Sequence, residues 1–444
     1  MEAGEDSDYH DNYTALPEIK AIIIGSKAEY KCTAANTILS HTDWKVGKEI
    51  VKSEMKQTTI QNRSVTLVMT PGWWRSFTLA ESTKYIQMEI VHSLKHCPDP
   101  HAFLLVISLH KPFTDMHLKS VVEHMEIFER LVAEHQGQCF KIDSKLLEDM
   151  EEKRSTMEKQ AKERENEVKT KMQSLKKCLT ERSCGFPELR IVLMGGRFVG
   201  KTSVMNTILK IKQEFSNSKK CVMREGEVDK RKVILIDTPG WWPYASVKET
   251  SESVKQEIMS SVTMCPPGPH AVLLVLQSDV AFSEAQSRSV KEHMELLGQN
   301  VWKYCIVVFT RGDWRGTSTI EEHIESEGET LQMLINKCGN RYHILNNMQW
   351  DDGIQVRELM EKVEMMARGN TDLLTPVEAA MEETDSGWGS NWSDQDKLER
   401  GSLKLDPPNM HDDKVKKWLE NIEIVSNYRT SSDFSQDILE DESR

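Results

Sequence analysis

The residues best equipped for chemistry lie in "GGRFVGKT", 195–202. This is a complete G-x-x-x-x-G-K-[ST] loop. Glycines at Gly195 and Gly200 let consecutive backbone N–H groups turn inward toward phosphate oxygens. Lys201 supplies a point charge for the outer phosphates, and Thr202 offers a hydroxyl to Mg2+. The helix opening there adds its positive N-terminal end. Gly195, Gly196, Arg197, Phe198, Val199, Gly200, Lys201, Thr202 and Ser203 form the candidate phosphate-binding set.

Two further stretches extend the site. "VILIDTPG" ends a strand-like run with Asp237, an acid placed to hold Mg2+ through water, and Gly240, whose N–H can approach a γ-phosphate. "VVFTRGD" ends with Asp313. A carboxylate there accepts two hydrogen bonds from guanine N1–H and N2–H2, a donor pair that adenine lacks on that edge. The stem of Arg311 can cover the base face. The expected ligands are therefore GTP or GDP with Mg2+, the metal held by Thr202 and Asp237. ATP-using chemistry is disfavoured by Asp313.

The elements that must position these residues occur twice. "PGWW" stands at 71–74 and 239–242, "EHME" at 123–126 and 292–295, and "NTIL" at 36–39 and 206–209. "HAFLLV" at 101–106 answers "HAVLLV" at 270–275. The near-constant offset points to two copies of one domain, over roughly residues 16–129 and 187–298. Strand-like runs alternate with helical patterns, which predicts an α/β fold with a mainly parallel sheet flanked by helices. The second copy continues through "YCIVVF", a long helical stretch, "RYHIL" and a helix near 353–367. The first has no counterpart of those strands.

In the first copy the loop reads "GSKAEYKC". Tyr30 replaces the second glycine, Cys32 is a soft ligand where Mg2+ needs a hard one, and Met69 stands where Asp237 stands. This copy is expected not to bind GTP. Its remaining Lys31 reads as a surface lysine. Loss of the last strands leaves "AFLLVI" as an apolar edge that the following helix, the second copy or another molecule must cover.

Together "DTPGWW", "CPPGPHAVLLVLQ", "VVFTRGD" and "CGNRYHILNN" resemble the GIMAP family, the immunity-associated septin-like GTPases. The resemblance is strong over 187–368 and weaker over 16–129. It implies a P-loop GTPase-like fold, here one degenerate truncated copy and one complete copy. It implies a GTP/GDP switch that forms homo- or hetero-oligomers through its nucleotide face. It implies that "RYHILNN" walls the base pocket, making Asn346 a contact. It also implies a cytoplasmic protein, or one peripheral on intracellular membranes through a C-terminal hydrophobic segment that this sequence lacks.

Three departures bear on hydrolysis. Only Ser218 stands where a switch Thr is usual, Ala281 replaces an Arg that can serve as a finger, and Trp241 stands where Ras-like enzymes carry the water-positioning Gln. The expectation is slow hydrolysis, or a scaffold in which nucleotide only stabilises an oligomer.

The domains read as an acidic flexible N-terminus (1–13), the degenerate copy (14–135), a charged helical or coiled-coil linker (136–184), the complete copy (185–370) and a largely disordered acidic tail (371–444). The linker has a heptad seam of Leu147, Met150, Met157, Ala161, Val168, Leu175 and Cys178, interrupted by Arg154, Arg164 and Lys171. From 382 onward there are 16 acidic and 8 basic residues, and the chain carries a net charge of −13, which argues against nucleic-acid binding by charge. No run of 18 apolar residues and no basic-then-apolar leader occurs. The nine scattered cysteines read as reduced thiols.

Overall fold

The computed structural model describes residues 16–375 apart from 28–29, 41–43, 47–48, 109–111, 134–140, 143, 181–185, 212–218, 349–352 and 371. The acidic N-terminus, Ser218 and the tail beyond residue 375 lie outside the described residues.

The first segment runs β1 (Glu18–Gly25), α1 (Lys31–Leu39), β2 (Glu54–Ile60), β3 (Arg63–Met69), α2 (Lys84–His96), β4 (Ala102–Val106) and α3 (Asp115–Glu129). A two-stranded ribbon, β5 (Val132–Ala133) with β6 (Lys141–Ile142), leads into the long helix α4 (Ser144–Thr180). The second segment follows as β7 (Glu188–Met194), α5 (Lys201–Leu209), β8 (Val222–Val228), β9 (Arg231–Asp237), α6 (Glu252–Ser260), β10 (Ala271–Gln277), α7 (Glu284–Met294) and β11 (Cys305–Thr310). It closes with α8 (Ile320–Glu327), α9 (Glu329–Lys337), β12 (Tyr342–Ile344) and α10 (Ile354–Gly369).

The first sheet has the order β2-β3-β1-β4, and the second β12-β11-β10-β7-β9-β8. In both, the central strands are parallel and an antiparallel hairpin strand closes one edge. The parallel strands were readable as apolar runs because helices bury both faces. Against one face of the second sheet pack Val204, Met205 and Ile208 of α5 with Val356, Leu359 and Val363 of α10. Against the other lie Ile258, Val290, Ile324 and Ile335 from α6 to α9.

The hairpin strands β2 and β8 carry no such run. They alternate half-buried and exposed residues, as one-sided edge strands do. Their turns are nonetheless encoded. Gln61–Asn62 and Asp229–Lys230 all have positive φ, from 49° to 63°, the two-residue turn whose twist suits a tight hairpin.

Three expectations change. The middle of the α4 seam packs on its own chain, while Leu175 nearer its C-terminal end is exposed. Buried Met157 and Ala161 face a groove between α2 and α8, and Val168 packs on the second segment's core. The seam's charged members are clamps. Arg154 donates to the buried Glu89 of α2 at 2.8 and 3.0 Å, and Arg164 pairs with Glu325 of α8 and donates to Asn340 at 2.8 Å. Second, α4 lies on α2 and α8 while β4 remains outermost in its sheet with half-buried residues. Third, the second core continues past residue 370, since Leu374 is buried in it.

The segments also touch directly. Glu327 accepts the Lys84 N–H at one oxygen and the Phe282 N–H at the other, each at 2.9 Å. Lys52 pairs with Glu322 at 3.3 Å, and Ala281 N–H donates to the Glu81 carbonyl at 3.0 Å.

Candidate functional site

At the C-terminal end of β7 the chain turns through Gly195 and enters α5 from Gly200, whose φ of 96° lies in the left-handed region. The helix starts at Lys201. Its ammonium folds back onto the carbonyls of Gly195 (3.0 Å) and Gly196 (2.9 Å). Gly240 lies so close to this loop that a Cβ there would meet Lys201 Nζ at 2.7 Å and Arg197 N at 2.8 Å. The loop is pinned by Arg197 N–H donating to the Trp241 carbonyl (2.7 Å) and by Thr310 Oγ1 donating to that of Val199 (2.7 Å).

Thr202 Oγ1 donates to Asp237 Oδ2 at 2.7 Å. Asp237 Oδ1 is buried with no hydrogen-bond partner, and burial holds this carboxyl above its ordinary pKa against the pull of Lys201. An orphaned carboxylate oxygen beside a hydroxyl fits a hard, oxygen-seeking cation. No cluster of three or more His, Cys, Asp or Glu side chains suited to a metal occurs among the described residues.

These groups face one cavity of about 570 Å3. Arg197, Phe198, Gly200, Lys201, Thr202, Ser203, Asp237, Gly240, Arg311 and Asp313 all line it. No hydrogen bond or ion pair engages the Asp313 carboxylate among the described residues. Gly195, Gly196 and Val199 are not on the wall; they cage Lys201 and hold the loop. Asn346 also lies elsewhere: its N–H donates to Gln355 Oε1 and its Oδ1 accepts from the Met348 N–H. Asn347 lines the cavity instead, with its Oδ1 accepting the Arg311 N–H at 3.3 Å. Arg311 reaches across to Asp279 at 2.9 Å.

Sequence reasoning missed Lys219, Lys220 and Trp314, which also line the cavity. The "KK" pair at 219–220 was the available signal. With Arg197, Lys201 and Arg311 they set five cations against the carboxylates of Asp237 and Asp313, in a chain whose net charge is −13. Such a wall suits a polyanion.

Trp241 points away from the cavity. Its ring is buried and stacks on His293 at 4.4 Å, as Trp73 stacks on His124 at 4.2 Å in the first segment.

The corresponding loop of the first segment differs in backbone as well as in side chains. Tyr30 has φ −74°, so the left-handed entry that Gly200 provides is missing. Met69 is fully buried in the core. Lys31, expected at the surface, is instead buried, with Nζ on the carbonyls of Gly25 (3.2 Å) and Thr70 (3.0 Å). The two carbonyls satisfy an ammonium that would be costly to bury unpaired.

Burial pushes Lys201 down to about 8. Bound phosphate favours the charged ammonium and raises that value, so binding above pH ~8 must take up a proton. Affinity for GTP at saturating Mg2+ is therefore expected to fall by up to about tenfold between roughly pH 7.5 and 9. A flat profile in a fluorescence titration would show that Lys201 stays charged in the empty site.

Parallel strands flanked by helices, with a glycine-rich loop opening α5, define an α/β protein of the P-loop GTPase type. The chain belongs to the AIG1 family, whose sequence model matches residues 19–150 and 189–387. It is 31% identical over 201 residues to GTPase IMAP family member 8 of Homo sapiens, covering 43% of this chain and 30% of that protein. The Mus musculus protein of the same name is 22% identical over 390 residues, covering 78% and 54%. Immune-associated nucleotide-binding protein 10 of Arabidopsis thaliana is 31% identical over 191 residues, covering 40% and 41%. The matched stretch thus spans about half or less of each of these relatives. Among solved structures, Arabidopsis thaliana Toc33 in complex with GDP and Mg2+ aligns with a TM-score of 0.36 at 14% identity, over 50% of this chain and 96% of that one.

Proposed function

We propose that this chain is a guanine-nucleotide-binding protein of the GIMAP type whose one nucleotide site lies in the second segment, 185–370. The observation that carries the reading is the shared cavity: the Thr202–Asp237 pair with its orphaned oxygen faces the same space as the unengaged Asp313 carboxylate. Lys201 and the loop amides hold the phosphates, Asp313 reads the base, and Asn347 takes the wall position expected of Asn346. Mg2+, held through Thr202 and Asp237, would neutralise phosphate charge. The first segment, 14–135, is a degenerate copy without nucleotide, joined through the 136–184 linker.

The nucleotide acts as a switch with slow hydrolysis. Trp241 is turned into the core, and Ala281 has no side chain to reach a phosphate and donates its N–H to the first segment. Groups that orient water or neutralise the transition state supply about 10³–10⁵ in rate elsewhere. The same two features favour a second reading, a scaffold that nucleotide stabilises without relevant turnover. Pairing through G domains is supported by exposed aromatics at the cavity: Phe198 on its wall and Trp242 beside it, ring centroids 6.4 Å apart, are 66% and 58% exposed. The protein is read as cytoplasmic; no helix among the described residues is long and apolar enough to cross a membrane.

Single-turnover GTP hydrolysis by the full chain tests the reading. Turnover is expected far below the typical enzyme value of about 10 s⁻¹. A rate near that value would reveal a catalytic group supplied from elsewhere in the chain.

A further inference from the structure

The base-reading carboxylate sits on a short turn, Gly312–Arg315, that the first segment grips from outside. Trp74 packs on Trp314 with ring centroids 4.7 Å apart, and its Nε1 donates to Asp279 Oδ2 at 2.8 Å. That same oxygen accepts from Arg311 at 2.9 Å, and the Arg311 guanidinium lies 5.8 Å from the Trp74 ring. Lys27, buried in the degenerate loop, places its ammonium 5.1 Å from the Trp74 ring and 5.5 Å from the Trp314 ring. Arg315, also buried, lies over Tyr85 of α2 at 5.7 Å. The long side chains flanking Asp313, namely Arg311, Trp314 and Arg315, thus all meet residues of the first segment. Two of them, Arg311 and Trp314, line the nucleotide cavity.

We propose that the first segment is the built-in positioning partner of the guanine site: its degenerate loop and Trp74 hold the Asp313 turn, so that base recognition depends on docking of the first segment. This rests on the reading of the cavity as a guanine site. It gives the degenerate copy a task that needs no phosphate cradle, only Lys27 and Trp74. A carboxylate that must accept two hydrogen bonds at once is sensitive to small displacements. Fixing its turn through Trp314 and Arg311 lowers the ordering cost that guanine must otherwise meet. By linkage, guanine must then tighten the docking as much as docking tightens guanine. Inorganic pyrophosphate, which fills the loop but not the base end, must not.

The test uses the full chain in Mg2+, with a fluorescent GDP analogue and inorganic pyrophosphate as competing probes. Trp74→Ala is expected to weaken GDP about tenfold, the scale of one ring contact plus one hydrogen bond to a carboxylate. Pyrophosphate affinity should stay within about twofold, and Trp74→Phe, which keeps the ring contact, should recover part of the GDP loss. Equal weakening of both ligands means a merely structural role and overturns the proposal, as does unchanged GDP affinity. Should Trp74→Ala misfold, hydrogen exchange on the unmodified protein decides: GDP slows the amides of Trp74–Phe77 and pyrophosphate does not, and any other pattern overturns the proposal. An unmodified chain that binds no GDP overturns the guanine reading and this proposal with it.

Discussion

Lys201→Ala is expected to raise the dissociation constant for GTP and GDP by at least about a hundredfold. The ammonium is buried, already at the loop, and satisfied by two carbonyls that it can exchange for phosphate oxygens without a large movement. Hydrogen bonds to charged groups contribute about 1.5–3 kcal/mol each, and about 1.4 kcal/mol is a factor of ten. Losing two such bonds and a fixed positive charge passes the hundredfold mark. Arginine is no substitute, since its planar fork does not fit the carbonyl cage. Isothermal titration checks the loss, and near-normal affinity would show that Arg197, Lys219 and Lys220 carry the phosphates instead. Lys31→Ala should leave pyrophosphate affinity unchanged, because that lysine caps carbonyls of the first segment and faces no part of this cavity.

Asp313→Asn is expected to be the second large effect, with a different signature. The asparagine amide presents one acceptor and one donor where guanine N1–H and N2–H2 need two acceptors. A site built to pair polar groups rejects a ligand that leaves them unpaired by up to about 10⁴–10⁵. The cavity here opens to solvent, so a loss of about a hundredfold in GDP affinity is expected. Pyrophosphate affinity should not change. Xanthosine diphosphate, which presents an acceptor at position 2, should gain on the variant. Equal loss of GDP and pyrophosphate would place Asp313 in the fold's support and not at the base.

The glycine-rich loop side of the cavity was legible because such a loop depends on residue type at fixed spacing. Asp237 ends the apolar strand β9, and Gly200, Lys201 and Thr202 open the helix that follows the apolar strand β7. Asp313, the proposed base reader, was picked out in the sequence and lines the cavity; the residue opposite was not. Leu345 is buried and Asn346 turns to Gln355, which leaves Asn347 on the cavity side; that is settled by the packing of α10, not by the local sequence. Lys31 was misplaced at the surface because the carbonyls that cage it, of Gly25 and Thr70, come together only in the fold.

The contact between the segments was not legible at all. Each "PGWW" buries its first tryptophan on a histidine. The second tryptophans then part company: Trp242 is 58% exposed, while Trp74 packs on Trp314. Identical neighbours gave no hint of this, since the difference lies in what the rest of the chain brings alongside. The linker shows the converse. Its two seam arginines interrupt the heptad pattern, yet each finds a carboxylate on the neighbouring helices, Glu89 of α2 and Glu325 of α8. Removing one partner of such a pair leaves the other charge uncompensated, so Arg154→Ala is expected to cost more stability than an exposed pair would.

The most direct test of the central claim is a calorimetric titration of the full chain, in Mg2+, with GDP and then with ADP. A single saturable site per chain is predicted for GDP, with ADP weaker by at least about a hundredfold, as one base-reading carboxylate beside one intact loop requires. Equal affinity for the two nucleotides, two sites per chain, or no heat with either would contradict it.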